Sequence, residues 1–106
     1  MLELTKDNFD EEVTNYSGVV FVDYWSPKCE PCMALLPEVE AFAAKNAGKV
    51  KFCKLDAVAN RRLAISQKVM GLPVMMFYKN GEKAQSYDAD SIDFSVMQAK
   101  LDELLA

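Results

Sequence analysis

The sequence predicts a three-layer α/β domain in which four helices cover both faces of a central mixed sheet of five strands. Apolar runs rich in β-branched and aromatic residues alternate along the chain with stretches whose apolar residues recur at helical spacing. Asn80-Gly81 is a strong hairpin signal, which adds an antiparallel strand pair to this alternation. At 106 residues the chain fits a single domain, which we expect to span residues 1–106.

The predicted central strand is the run from Val19 to Trp25, in which Asp23 is the one charged residue. Such a run, almost without polar breaks, is typical of a strand that is buried on both faces. We therefore expect it in the middle of the sheet.

The other elements follow from helical spacing, strand patterns and turn residues. Pro37 lies inside the second predicted helix and predicts a kink there, because proline lacks the backbone donor. In chain order we expect an edge strand over Leu2–Thr5, a helix over about 6–16 capped by Thr5 or Asp7, a helix from Pro31 to about Asn46, a strand over Val50–Asp56, a helix over Asn60–Lys68, a strand over Val74–Tyr78, an antiparallel edge strand over Ala84–Asp88 and a last helix capped by Ser91.

The composition argues against several functional classes. With 51% hydrophobic and 26% charged residues the chain is typical of a soluble globular protein, and its net charge of -4 disfavours a nucleic-acid partner. No run reaches the roughly 18 apolar residues of a membrane span, and the first residues do not resemble a signal peptide. Three cysteines are too few for a secreted disulfide scaffold, so we expect a reducing, cytoplasmic compartment.

Two cysteines separated by two residues stand where the central strand gives way to the next helix. Cys29 precedes the helix start near Pro31, where free backbone N–H groups and the helix dipole favour a thiolate. Pro31 suits this first turn because its fixed φ is already helical. We therefore expect Cys29 to be the nucleophile of thiol–disulfide exchange and Cys32, one turn deeper, to be the resolving thiol.

Two charged residues flank the expected nucleophile and act in opposite directions. Lys28 favours a thiolate at Cys29 and Glu30 disfavours it, which leaves the net effect open. A Cys-x-x-Cys pair is also half of a structural zinc site. Such a site normally needs four Cys or His ligands, and three cysteines without any histidine disfavour it.

At this point the chain resembles the thioredoxin family over nearly its whole length, with an atypical Cys-Glu-Pro-Cys active site. The resemblance implies a thioredoxin fold and a redox-active disulfide between Cys29 and Cys32. It also implies that the chain needs no bound cofactor and no metal. The landmarks that carry it are Val22-Asp23-Tyr24-Trp25, Cys29-Glu30-Pro31-Cys32, Pro37, Lys54-Leu55-Asp56, Gly71-Leu72-Pro73 and Lys79-Asn80-Gly81.

The resemblance also implies roles for residues around the disulfide. Asp23 resembles the buried carboxylate that exchanges a proton with Cys32, and burial inside an apolar strand should raise its pKa. Lys54 is similar to the lysine that partners this carboxylate, with an exposed strand-end lysine as the alternative. Pro73 resembles the family's cis-proline, before which the backbone of Leu72 pairs with an extended substrate segment, and Trp25 resembles a support for the active-site loop.

The chain departs from the usual family pattern near the disulfide. Lys28 stands where the family usually has a second tryptophan, Glu30 where it has glycine, and Ala89 where it has a glycine of the substrate-binding surface. Asp88 and Asp90 flank Ala89. We expect the substrate-binding rim to be partly charged, which alters the redox poise and the choice of partner.

Four residues have two interpretations each. Cys53, inside a predicted strand, is expected to be a small buried hydrophobic residue, with a regulatory thiol as the alternative. Met33 and Met70, with Leu72, form either an adaptable apolar rim for substrates or ordinary packing.

The resemblance implies that the chain reduces protein disulfides and is then reduced by a thioredoxin reductase, which we expect to be a flavoprotein. We expect a monomer with neither a nucleic-acid nor a membrane partner. Two alternatives stay open: a non-catalytic module that uses the same fold to bind a partner, and a disulfide oxidant or isomerase.

Overall fold

The strand β2, Val19–Trp25, lies in the middle of a five-stranded sheet in the computed structural model, which describes residues 1–106. The other strands are β1 (Leu2–Leu4), β3 (Lys51–Asp56), β4 (Val74–Lys79) and β5 (Glu82–Tyr87), in the spatial order β1-β3-β2-β4-β5. β3 is parallel to both β1 and β2, whereas β4 is antiparallel to both β2 and β5. The sheet is therefore mixed, and the predicted central position of β2 is confirmed.

Four helical elements cover the sheet. The three α-helices are α1 (Glu30–Lys45), α2 (Arg61–Ser66) and α3 (Phe94–Leu105), and a π-helical segment spans Asp10–Thr14. α1 and α3 pack on one face of the sheet, and α2 and the π-helical segment pack on the other. The predicted three-layer architecture is confirmed. None of the helices combines the length and the apolar character required to cross a lipid bilayer.

An aromatic cluster fixes α1 against the sheet. The ring of Phe21 on β2 lies 5.6 Å from Phe42 of α1, 5.3 Å from Phe52 of β3 and 5.5 Å from Phe77 of β4, measured between centroids. Aromatic pairs at these separations contribute about 0.5–1.5 kcal/mol each beyond the area that they bury. Because Phe42 belongs to this cluster, the position of the whole helix α1, including its first turn, is set by the sheet.

The opposite face of the sheet contains a buried polar chain. The hydroxyls of Tyr24 on β2 and Tyr78 on β4 lie 2.7 Å apart, and Tyr78 donates to the Gln67 side-chain oxygen at 2.9 Å. Burial raises the pKa of Tyr24 well above its ordinary value and that of Tyr78 to about 12. Both phenols are therefore neutral and can act as donors, so Tyr24 donates to Tyr78 and Tyr78 donates to Gln67.

The hairpin between β4 and β5 forms at Asn80-Gly81, as predicted. Both residues have positive φ, 52° and 83°, as a two-residue hairpin turn of the favoured type requires. The Asn80 backbone N–H donates to the Gly18 carbonyl at 2.9 Å, and the Gly18 N–H donates to the Asn80 side-chain oxygen at 2.9 Å. The turn is thereby held against the start of β2.

Two sequence predictions about helices were wrong. The α-helix expected over residues 6–16 is only the π-helical segment, because Asn8 forms a polar turn instead: its side chain accepts from the Thr5 N–H and donates to the Glu3 carbonyl. Thr5 accepts from the Asp7 N–H at the start of this turn, and the π-helical segment itself has no side-chain cap.

The expected cap of the last helix was also wrong. Asp93, not Ser91, precedes α3, and its carboxylate accepts from the Ser95 and Val96 N–H groups at 3.0 and 3.2 Å. Ser91 instead accepts from the Asp88 N–H and closes the preceding turn. The boundaries of β2 are as predicted, and those of the other elements differ from prediction by at most two residues.

The hairpin glycine gives a direct test of this packing. We expect Gly81→Ala to lower the free energy of unfolding by about 2–4 kcal/mol, because its φ is positive and a Cβ would collide with the Thr14 carbonyl oxygen. Gly48→Ala is the matched control, since Gly48 also has positive φ but no atom lies within 4 Å of its Cβ position. Its cost should be only about 1 kcal/mol. Equal losses in urea unfolding of the two variants would contradict the predicted collision.

Candidate active site

The loops that carry the candidate residues leave the sheet at one end. Trp25, the last residue of β2, pairs with Asp56, the last residue of β3. Tyr24 pairs with Val74, the first residue of the antiparallel strand β4. The loop with Cys29 therefore emerges beside the segment that precedes β4. The end of β5 lies at the same edge, because Tyr87 pairs with Met75.

Cys29 and Cys32 form a disulfide at the start of α1, with their Cα atoms 5.3 Å apart. Cys29 is the residue that caps α1, and its sulfur accepts from the Cys32 N–H at 3.3 Å. Cys29 is half-buried, whereas Cys32 is only 2% exposed. A second thiol or disulfide can therefore approach Cys29 much more easily than Cys32.

Ser26 shapes the loop between β2 and the disulfide, and the sequence analysis missed it. This buried side chain accepts from the Lys28 N–H at 3.1 Å, and the Ser26 carbonyl accepts from the Cys29 N–H at 3.0 Å. Its signal in the sequence was the Ser-Pro pair, which favours the start of a turn. The turn leaves the side chains of Lys28, Glu30 and Pro31 exposed around Cys29.

The carboxylate of Asp23 is buried on the same face of β2 as Phe21, two residues earlier, and therefore on the face that α1 covers. The residue is 1% exposed, and its Oδ2 has no hydrogen-bond partner. Burial raises the pKa of Asp23 to about 7, and the positive charge of Lys54 opposes part of this rise. Near neutral pH this group can therefore both accept and release a proton.

Lys54 lies directly beside Asp23 in the register of β2 and β3. It forms no ion pair within 4 Å, and its ammonium group instead lies over the Trp25 ring, 5.0 Å from the centroid. Lys54 thus acts on Asp23 through its charge at a distance while it contacts Trp25. The Trp25 indole N–H is buried and has no hydrogen-bond partner.

The segment before β4 forms a groove with the end of β5. The Leu72–Pro73 peptide bond is cis, in line with the family resemblance. Leu72 and Pro73 line a groove of about 400 Å³ together with Asp88, Ala89 and Asp90, all three of which are exposed. The part of the rim formed by residues 88–90 is therefore charged, as the sequence predicted.

The remaining candidates lie on the rim and in the core. Met70 is 79% exposed beside Leu72, and Met33 in the first turn of α1 is also exposed, so neither is ordinary packing. Cys53 is fully buried, and burial raises its pKa to about 12, which makes it an unreactive thiol. No group of three or more His, Cys, Asp or Glu side chains is arranged to hold a metal ion.

The buried carboxylate makes the stability of the oxidised protein depend on pH. Because its pKa is raised, Asp23 stabilises the fold most below about pH 4, and this contribution is lost as the pH rises toward about 7. The free energy of unfolding of Asp23→Asn, compared with that of the unsubstituted protein, should therefore rise as the pH increases from 4 to 8. The rise should be on the order of 3–4 kcal/mol. Urea unfolding across this range measures the gain. Glu40→Gln, an exposed position on α1, is the control, and a parallel pH profile for both variants would refute the assignment.

The comparisons with known proteins agree with this geometry. Residues 1–103 match the family model described as Thioredoxin. The chain is 49% identical over 90 residues to a protein named Thioredoxin from Peptoclostridium acidaminophilum, across 85% of this chain and 82% of the relative. It is 48% identical over 83 residues to a Thioredoxin from Acetoanaerobium sticklandii, across 78% and 79%.

A more distant relative matches this chain over a part of a longer protein. The chain is 39% identical over 92 residues to a protein named Protein disulfide-isomerase A6 homolog from Drosophila melanogaster, across 83% of this chain and 21% of that protein. The family match spans nearly the whole chain and includes the disulfide at the start of α1. With Cys29 and Cys32 as its redox pair, the chain therefore belongs to the thioredoxin family and is a thiol–disulfide oxidoreductase.

Proposed function

We propose that the chain reduces protein disulfides in two steps, with Cys29 as the nucleophile and Cys32 as the resolving thiol. The observation that carries this assignment is the difference in exposure between the two cysteines: Cys29 is half-buried, whereas Cys32 is only 2% exposed. Cys29 also caps α1, where the positive end of the helix dipole favours its thiolate.

In the first step the Cys29 thiolate attacks one sulfur of the substrate disulfide. A mixed disulfide forms, and the other substrate sulfur leaves as a thiolate that takes up a proton. In the second step the Cys32 thiolate attacks the Cys29 sulfur, which forms the Cys29–Cys32 disulfide and releases the second substrate thiol. The substrate gains two electrons and two protons, and the protein loses both.

Asp23 accepts the proton that Cys32 must lose before the second step. Support for this role comes from its burial on the face that α1 covers and from a pKa of about 7, which allows proton uptake near neutral pH. Burial raises the pKa of Asp23, and Lys54 is a positioning residue whose charge opposes part of this rise. It also packs against Trp25, which supports the active-site loop.

The substrate chain is proposed to pair with the backbone of Leu72, before Pro73. The groove at Leu72 and Pro73 and its opening beside the Cys29 loop support this placement. Lys28, Glu30 and Pro31 are exposed beside Cys29 and contact the substrate near the scissile disulfide.

The chain interacts with disulfide-bonded protein substrates and with a reductase, as its family implies. We propose that this reductase is a flavoprotein that returns two electrons to the Cys29–Cys32 disulfide. We further propose that the chain works as a single domain over residues 1–106, as a monomer, in the cytoplasm. The family match over residues 1–103 supports the single domain.

Substitution of each cysteine separates catalysis from simple binding. Cys29→Ser should lower turnover of a protein disulfide such as insulin by at least about 1,000-fold, because the nucleophile is lost. Cys32→Ser should trap a mixed disulfide with the substrate, detectable by mass spectrometry and reversed by dithiothreitol. Cys53→Ser is the control and should retain activity, because Cys53 is fully buried. Undiminished function in Cys29→Ser would instead favour the binding module.

The reduction potential of the Cys29/Cys32 couple distinguishes a reductant from an oxidant. We expect a value near about -270 mV against a dithiothreitol or glutathione series, as for a general disulfide reductant. A value between about -120 and -180 mV would favour a disulfide oxidant or isomerase.

A further inference from the structure

A second groove adjoins the active site on the side of α2. It has a volume of about 300 Å³, and seven of its nine lining residues are hydrophobic. The most exposed of these are Met70, Val58 and Ile65, at 79%, 59% and 44%. We call this surface, formed by residues 57–72 around these three side chains, the α2 groove. Large apolar side chains are exposed here together although much of the chain's apolar surface is buried, which is typical of an interaction surface.

The α2 groove is continuous with the proposed substrate site. Met70, Gly71 and Leu72 line both this groove and the groove at Pro73. A protein segment that pairs with Leu72 can therefore extend across Met70 onto α2 without leaving the surface.

The charge of this segment is opposite to that of the rest of the chain. Residues 57–72 contain Arg61, Arg62 and Lys68 and no Asp or Glu, whereas the rest contains nine Lys and Arg against sixteen Asp and Glu. Arg61 is the one charged residue that lines the α2 groove. A partner that covers this groove thus meets the positive charge of Arg61, with Arg62 next to it in the chain, although the protein as a whole is acidic.

The two arginines have no structural role that accounts for them. Neither Arg61 nor Arg62 forms an ion pair, and both side chains are exposed. They occupy the first turn of α2, where a positive charge is unfavourable because of the helix dipole. Positive side chains at an unfavourable position, without a compensating contact inside the chain, indicate a contact with another molecule.

From these observations we propose that the α2 groove binds a segment of the disulfide-bonded protein substrate in which a large apolar side chain is followed by carboxylates. The apolar side chain fills the space beside Val58, Ile65 and Met70, and the carboxylates pair with Arg61 and Arg62. At the groove on the other side of Leu72 the two carboxylates of Asp88 and Asp90 outnumber the one ammonium of Lys68, so the charges also set the direction in which a substrate chain crosses the site. This inference rests on the proposed function and adds the class of substrate to it.

Three synthetic peptides test the proposal. Each contains one intrachain disulfide followed by Phe-Glu-Glu, Phe-Lys-Lys or Ala-Glu-Glu, and each is mixed with the pre-reduced protein in a single turnover followed by chromatography. We expect the Phe-Glu-Glu peptide to be reduced about 3- to 10-fold faster than the Phe-Lys-Lys peptide at low salt, since exposed ion pairs contribute modestly. In 1 M NaCl the rate for the Phe-Glu-Glu peptide divided by that for the Phe-Lys-Lys peptide should fall toward 1. The original protein should reduce the Ala-Glu-Glu peptide more slowly than the Phe-Glu-Glu peptide. In Ile65→Ser the difference between these two rates should be smaller.

Charge reversal provides the matched pair of variants. Arg61→Glu should lower the ratio of the reduction rates of the Phe-Glu-Glu and Phe-Lys-Lys peptides to about 1 or below, because the one charged residue that lines the groove becomes negative. Lys49→Glu makes the same change of charge at an exposed position near the start of β3, at the far end of the sheet, and should leave the ratio unchanged. Thermal unfolding of both variants confirms that they are folded.

The outcomes separate this proposal from the proposed function. If the original protein reduces 2-hydroxyethyl disulfide but reduces all three peptides at equal rates, the proposed chemistry stands and the docking surface is refuted. If it reduces none of these disulfides, both proposals fail. A dimer seen by analytical ultracentrifugation that dissociates in Arg61→Glu would place a second copy of the chain in the α2 groove and would also overturn the proposal.

Discussion

One carboxylate inside the most deeply buried strand constrains the whole active site. β2 is buried on both faces, and removal of a charge from water costs several kcal/mol, so the neutral form of Asp23 is favoured and its pKa rises to about 7. Lys54 on the adjacent strand offsets part of this cost without an ion pair. The packing of Phe21 against α1 holds the disulfide on the same side of the sheet. The stability of the core and the proton chemistry of the site are therefore two results of the same burial.

Much of the fold could be predicted because local patterns and burial agree. The apolar run of β2 predicted both ends of that strand. Asn80-Gly81 predicted the hairpin, because only a few residue types adopt positive φ in two successive positions. The failures occurred where several local structures compete. Ser91 and Asp93 are both good helix caps, and the turn at Asp88 determines which of them is free to act.

The site was predictable to the extent that it depends on chain order and burial. The transition from strand to helix predicted where Cys29 and Cys32 lie. The position of Asp23 within an apolar run predicted that its carboxylate is buried. Sequence alone could not show that Lys54 lies over Trp25, because that contact depends on the register of β2 and β3. Nor could helical spacing reveal the α2 groove. Whether Ile65 is covered depends on which other elements reach it in three dimensions, and 44% of it remains exposed.

The hydrogen bond between Tyr24 and Tyr78 has a consequence for how β2 and β4 align. Alternation of side chains excludes a slip of one residue, which would turn the apolar faces outward, but it does not exclude a slip of two. Alternation along β4 is the same after such a shift, although in one direction the shift would also bring the exposed Lys79 to the buried position of Phe77. A two-residue slip would separate the two hydroxyls by about 7 Å and leave the hydroxyl of Tyr24 buried without a partner, at a cost of about 1–3 kcal/mol. The tyrosine pair thus favours, among alignments with the same buried face, the one in which Val74 lies beside Tyr24 and the Cys29 loop opens next to Pro73.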